Sequence, residues 1–92
     1  NPPYNKAVDF VLKGFEVADE QYLLLRSTFL EGQSRYKKLM SLGKLEKVYM
    51  FTYRISCSKG VDEEPSPNSV CYSWFKFNKN YNGLPTLEWL VK

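Results

Sequence analysis

The stretch Tyr4-Asn5-Lys6-Ala7-Val8-Asp9-Phe10-Val11-Leu12-Lys13-Gly14-Phe15-Glu16-Val17-Ala18-Asp19-Glu20-Gln21-Tyr22-Leu23-Leu24-Leu25-Arg26 governs how the remaining residues are read. Within it Tyr4, Val8, Val11, Phe15, Ala18, Tyr22 and Leu25, followed by Phe29, recur at steps of four and three. That spacing puts one apolar stripe on one face of a helix. Pro2 or Pro3 suits the first turn, where the N–H that proline lacks would be unpaired anyway. Asp9, Glu16, Asp19 and Glu20 fall mostly off the stripe, and Gly14 costs about 1 kcal/mol against alanine without stopping a helix. A helix from Pro2 to Glu31 would be about 45 Å long at 1.5 Å per residue, too long for a domain of this size. The expected helix therefore ends near Arg26, with Phe15 and Tyr22 facing a sheet.

Strand patterns follow. Over residues 48–57, Tyr49, Phe51, Tyr53, Ile55 and Cys57 alternate with Met50, Thr52, Arg54 and Ser56. Over 70–77, Cys71, Ser73, Phe75 and Phe77 alternate with Tyr72, Trp74 and Lys76. Asn82-Gly83 is a favoured tight-turn pair, and residues 86–92 follow it as a third β segment. Residues 58–69 are polar, acidic and twice interrupted by proline, which reads as a surface loop. Residues 33–42 fit a short helix through Tyr36, Leu39 and Met40, and a strand through Ser34, Tyr36, Lys38 and Met40; periodicity leaves both open.

Composition narrows the function classes. Ninety-two residues with 43% hydrophobic and 16% aromatic content make one small globular domain. Histidine is absent, which removes the commonest general base and zinc ligand, and two cysteines cannot close a tetrahedral metal site. No enzyme, metal or cofactor is expected. No stretch approaches the roughly 20 apolar residues of a membrane span. Asn1-Pro2-Pro3 carries no basic-then-apolar leader, which reads as a signal peptide already removed. The net charge of +3 is too weak to argue for nucleic acid. Its bias is local: residues 1–31 hold three basic and five acidic groups, residues 32–92 ten and five.

Cys57 ends one strand and Cys71 begins the next, so an antiparallel pairing sets them opposite each other at the neck of the acidic loop. A disulfide there would close a loop of about 15 residues, worth about 3 kcal/mol in the chain-entropy model, and would imply an oxidising, extracytoplasmic compartment. The alternative is two buried thiols in a cytosolic protein. Arg35, Lys37, Lys38, Lys44 and Lys47 form the densest basic stretch, either a solvated face or a rim that steers an acidic partner. Tyr81 is either an exposed aromatic or one packed back on the sheet, and Trp74 and Trp89 read as packing residues.

Ala7-Val8-Asp9-Phe10 with Phe15, Ala18 and Arg26 resembles the helix of the type-2 cystatins. Their first hairpin, Gln-x-Val-x-Gly, places its glycine 14 residues before a strand-ending cysteine, as Gly43 stands before Cys57 here. Their second, Pro-Trp-x-Gly, follows a cysteine-started strand, as Asn80-Tyr81-Asn82-Gly83 follows residues 71–77. Leu39-Met40-Ser41-Leu42-Gly43 keeps only the glycine of the first motif, and the family's N-terminal glycine trunk would fall before Asn1.

The resemblance implies an α+β fold with one long helix packed on a curved four-stranded antiparallel sheet, its strands near 33–42, 45–57, 69–79 and 85–92. Phe51, Tyr53, Ile55, Phe75, Phe77 and Leu87 would complete the core. Without the resemblance, a helix at 33–42 would give two helices and three strands. The implied function is weak inhibition of papain-like cysteine proteases by a wedge of two side-by-side tips, Leu42-Gly43-Lys44 and Asn80-Tyr81-Asn82-Gly83. The alternative is a non-inhibitory secreted cystatin-like protein that binds another extracellular protein through the basic rim or a sheet edge. Either would be a monomer or a dimer that exchanges its first hairpin.

Overall fold

The computed structural model describes residues 4–53 and 71–92. In chain order they form helix α1 (Tyr4–Gly14), strand β1 (Glu20–Arg26), a 3-10 turn (Ser27–Leu30), the short helix α2 (Gln33–Lys38), a second 3-10 turn (Met40–Leu42), and strands β2 (Leu45–Phe51), β3 (Tyr72–Asn78) and β4 (Thr86–Leu90). The sheet order is β1-β3-β2-β4. β3 runs antiparallel to both β1 and β2, whereas β4 runs parallel to β2.

This corrects the expected fold in three places. The long helix stops at Gly14, and its second half is strand β1. Gln21 folds back so that its Nε2 donates to the Val11 carbonyl at 2.9 Å, which also accepts the Phe15 N–H at 3.1 Å at the end of α1. A Cβ on Gly14 would stand 2.3 Å from the Gln21 Oε1, so the glycine makes room for this side chain. Beyond the turn at 15–18, Leu23 and Leu25 point to the core and Tyr22 to the opposite face, 52% exposed; Phe15 is half-buried against the core.

The second correction concerns residues 33–42, which are helical rather than a strand. Gly32 at φ 116° and Gly43 at φ 73° bracket them, and both values suit glycine. Leu39 is buried. Arg35 donates from Nε to the Phe29 carbonyl at 3.1 Å and lies over the Phe29 ring, so part of the basic stretch pins α2 to the preceding turn.

The third correction is that the sheet is mixed. β3 and β4 run in opposite directions, but β2 lies between them. The connection 79–85 therefore crosses the start of β2, spanning two strand spacings of about 4.8 Å each, which a two-residue hairpin could not. The strands near 45–57, 69–79 and 85–92 are otherwise where they were expected, within the described residues.

One core joins Ala7, Val8 and Val11 of α1 to Leu25, Phe29, Leu39, Leu45, Val48, Phe75 and Phe77. Phe29 meets Phe75 edge-on at 5.6 Å. Of the remaining expected core residues, Phe51 is half-buried on the face opposite Met50, Tyr53 is half-buried, Leu87 is exposed, and Ile55 lies outside the described residues. β4 contributes nothing to this core.

Candidate functional site

The two loops singled out in the sequence touch. Gly83 N donates to Gly43 O at 3.2 Å, Lys44 Nζ donates to Tyr81 O at 2.9 Å, and Asn78 N donates to Lys44 O at 2.8 Å. The contact follows from the topology, because the start of β2 and the end of β3 share one end of the sheet and the 79–85 connection passes over it. Gly43 has a left-handed backbone, and a Cβ there would lie 3.1 Å from Asn82 Oδ1 and 3.2 Å from Gly83 N. Leu42, Asn80, Asn82 and Gly83 are exposed on this joined tip. Tyr81 is not: it is half-buried, and its hydroxyl donates to the Leu84 carbonyl within its own loop.

Beside the tip, a register shift between Leu45 and Lys47 gives β2 one extra residue. Glu46 at this bulge accepts from Asn78 Nδ2 at 2.8 Å and from Lys76 Nζ at 3.1 Å. The Asn78 amide and the Lys76 ammonium hold the Glu46 carboxyl below its ordinary value. The same carboxylate, with Tyr22 and Glu20, pushes the Lys76 ammonium up. Neither group is poised to exchange a proton near neutral pH. This network joins β1, β2 and β3 rather than offering an acid–base pair.

The outer face of the sheet carries what the sequence reading missed. Leu24, Trp74 and Tyr49 are register partners across β1, β3 and β2, on the side away from the core. Tyr22 and Lys76 form the adjoining row, with the Lys76 ammonium 5.7 Å from the centre of the Tyr22 ring. Lys47 lies 5.7 Å from the Tyr49 ring and pairs with Glu88 at 3.0 Å, a contact that raises its pKa. Trp74 is therefore a surface residue, 36% exposed, not a packing one. Its signal was present: once Phe75 and Phe77 are assigned to the core, Tyr72, Trp74 and Lys76 must face away from it.

Of the basic stretch, Arg35, Lys44 and Lys47 are engaged in the contacts above, and Lys37 and Lys38 stay exposed on α2. Cys71 is a free, exposed cysteine just before β3, and Cys57, its expected partner, lies outside the described residues. No group of three or more metal-ligating side chains occurs among the described residues, and no helix there is long and apolar enough to cross a membrane.

No protein-family model, curated protein or solved structure matches this chain. The cystatin resemblance thus rests on the sequence patterns that carry it.

Proposed function

We propose that the protein is a non-catalytic binding protein that engages another extracellular protein through the outer face of its sheet. The observation that carries this reading is the Leu24–Trp74–Tyr49 row, extended by Tyr22 and flanked by Lys47 and Lys76. Tryptophan and tyrosine are the residues that most often dominate binding energy at protein interfaces, because they bury a large rigid surface at little entropic cost. Each lysine is already matched by a carboxylate of this chain, Lys47 by Glu88 and Lys76 by Glu46 and Glu20, so the apolar and aromatic row, not net charge, is what a partner would recognise. The extracellular assignment comes from the sequence expectation of a Cys57–Cys71 bond alone, whereas Cys71 is a free cysteine in the structure. The test is to immobilise the chain, expose it to extracellular proteins, and repeat with Trp74→Ser and Tyr49→Ser combined. A ligand kept by the parent and lost by the variant is the expected result; equal retention contradicts the reading.

A second reading, weak inhibition of papain-like cysteine proteases by the joined tip, is favoured by the Gly83–Gly43 hydrogen bond that sets the two loops side by side. The internal hydrogen bond of Tyr81 takes away its aromatic anchor and leaves Leu42, Asn82 and Gly83 to enter a cleft. Titration against a panel of such proteases separates the two readings. Inhibition weakened by Gly43→Ala but not by the Trp74 and Tyr49 changes supports the tip. No inhibition at high micromolar concentration rejects it.

A further inference from the structure

β4 is an edge strand among the described residues, and one hydrogen bond fixes the phase of its backbone. Thr52 donates to the Leu90 carbonyl from its N–H at 3.0 Å and from its hydroxyl at 2.9 Å. In a strand, the N–H and C=O of one residue point to the same side and those of the next residue to the other. Thr86, Glu88 and Leu90 therefore turn their backbone groups toward β2. Leu87, Trp89 and, continuing the alternation, Val91 turn theirs away from the sheet. The side chains of Leu87 and Trp89 lie on the core face, opposite Val48 and Met50, yet Leu87, Trp89 and Val91 are 52%, 61% and 79% exposed. An open row of backbone donors and acceptors thus coincides with an uncovered apolar row, the arrangement that one more strand completes.

We propose that this strand is β4 of a second copy of the chain, paired antiparallel about a two-fold axis at Trp89. A closed pair of identical strands must be antiparallel, and of the registers that match the outward phase the one centred on Trp89 pairs all three outward residues, whereas one centred on Leu90 pairs only Trp89 with Val91. Centring on Glu88 would set two carboxylates directly opposite each other in a close, non-hydrogen-bonded pair. Centring on Trp89 sets Trp89 against Trp89 and Leu87 against Val91, each pair exchanging backbone hydrogen bonds. Glu88, already matched by Lys47, then faces Leu90 of the copy, and Lys92 faces Thr86. The strand is its own complement in this register: apolar meets apolar on the core face, and no like charges meet on the other. Pro85 has no N–H and ends the open row on its side. The opposite edge, β1, gains less from the same pairing, because its core-face residues Leu23 and Leu25 are already packed.

Sedimentation of the full chain across micromolar to millimolar concentration, with amide exchange followed residue by residue, tests the proposal. A monomer–dimer equilibrium is expected. The amides of Leu87, Trp89 and Val91 should exchange more slowly as concentration rises, while those of Glu88 and Leu90 do not change. Trp89→Lys should weaken the dimer about 30-fold or more, as loss of a central hot spot does. Leu87→Lys serves as the second variant should Trp89→Lys lose its fold, and Tyr22→Lys on β1 should leave the dimer intact. Three outcomes overturn the proposal: a monomer at every concentration, a dimer broken by Tyr22→Lys and not by the β4 changes, or protection of the three amides that ignores concentration. The last would place another part of the same chain on the edge.

Discussion

The β1 and β4 edges of the sheet differ in what lies over them. β1 sends Leu25 into the core and Leu23 against it, under α1 and the Ser27–Leu30 turn, whereas β4 sends no residue there. A helix is about 10 Å across and neighbouring strands lie about 4.8 Å apart, so one helix covers about two strands. α1, Phe29 of the following turn and Leu39 together cover β1, β3 and β2, so the core stops at β2 and Leu87 and Trp89 of β4 stay exposed. The two edges thereby differ: β1 is built into the core, whereas β4 presents exposed apolar side chains.

The largest expected effect lies at the centre of the covered strands. Phe75→Ala, at a fully buried ring between β1 and β2, should cost about 3–5 kcal/mol in urea denaturation. Phe15→Ala should cost clearly less, because that side chain is only half-buried. A loss below about 1 kcal/mol for Phe75→Ala would move the core elsewhere.

Next comes the joint between the two loops. Gly43→Ala forces a Cβ into a left-handed conformation and against Asn82 and Gly83, and should cost about 1–3 kcal/mol by the same measurement. An unchanged midpoint would mean that the loops do not meet there.

On the bare edge, Trp89→Ala should change the stability of the monomer by no more than about 0.5 kcal/mol, as surface substitutions do. A loss comparable to that of Phe75→Ala would erase the distinction between the two edges.

The smallest effect belongs to Glu46. Its carboxyl is held below its ordinary value of 4.5 by the amide of Asn78 and the ammonium of Lys76, so the folded state binds its proton less readily than the unfolded chain. The stabilisation is present above pH 4.5 and is lost as the pH falls through the lowered folded value. Glu46→Gln should lower the melting temperature slightly at pH 7, and the gap to the parent should close in acid. A gap that widens in acid would reverse the sign.

The sequence showed some of this and concealed the rest for physical reasons. The Val8–Val11 stripe and the Ser73–Phe75–Phe77 alternation each match one period cleanly, and both elements are where that period put them. Gln21-Tyr22-Leu23-Leu24-Leu25 satisfies a helical and a strand period at once. What accompanies the strand is Gln21 reaching back across ten residues to share the Val11 carbonyl, a contact that no local pattern displays. The parallel β4 was hidden for a similar reason: Asn82-Gly83 announces a turn but not that the connection steps over β2. The meeting of Gly43 with Asn82-Gly83 was legible, because antiparallel β2 and β3 share a sheet end. The place of Tyr49 beside Trp74 on the outer face was not, because assigning Phe51, Tyr53 and Ile55 to the core reversed the phase of β2; Val48 and Met50 hold the inward positions instead.

The division into a covered and a bare edge depends on residues 20–26 being a strand and on β4 running parallel to β2, and cross-strand proton–proton distances by nuclear magnetic resonance test both. The account predicts short Hα–Hα contacts between Tyr22 and Lys76 and between Leu24 and Trp74, and contacts that advance in the same direction along β2 and β4, from Lys47 with Thr86 to Phe51 with Leu90. Helical contacts between residues three apart, running unbroken from α1 through Arg26, would contradict it.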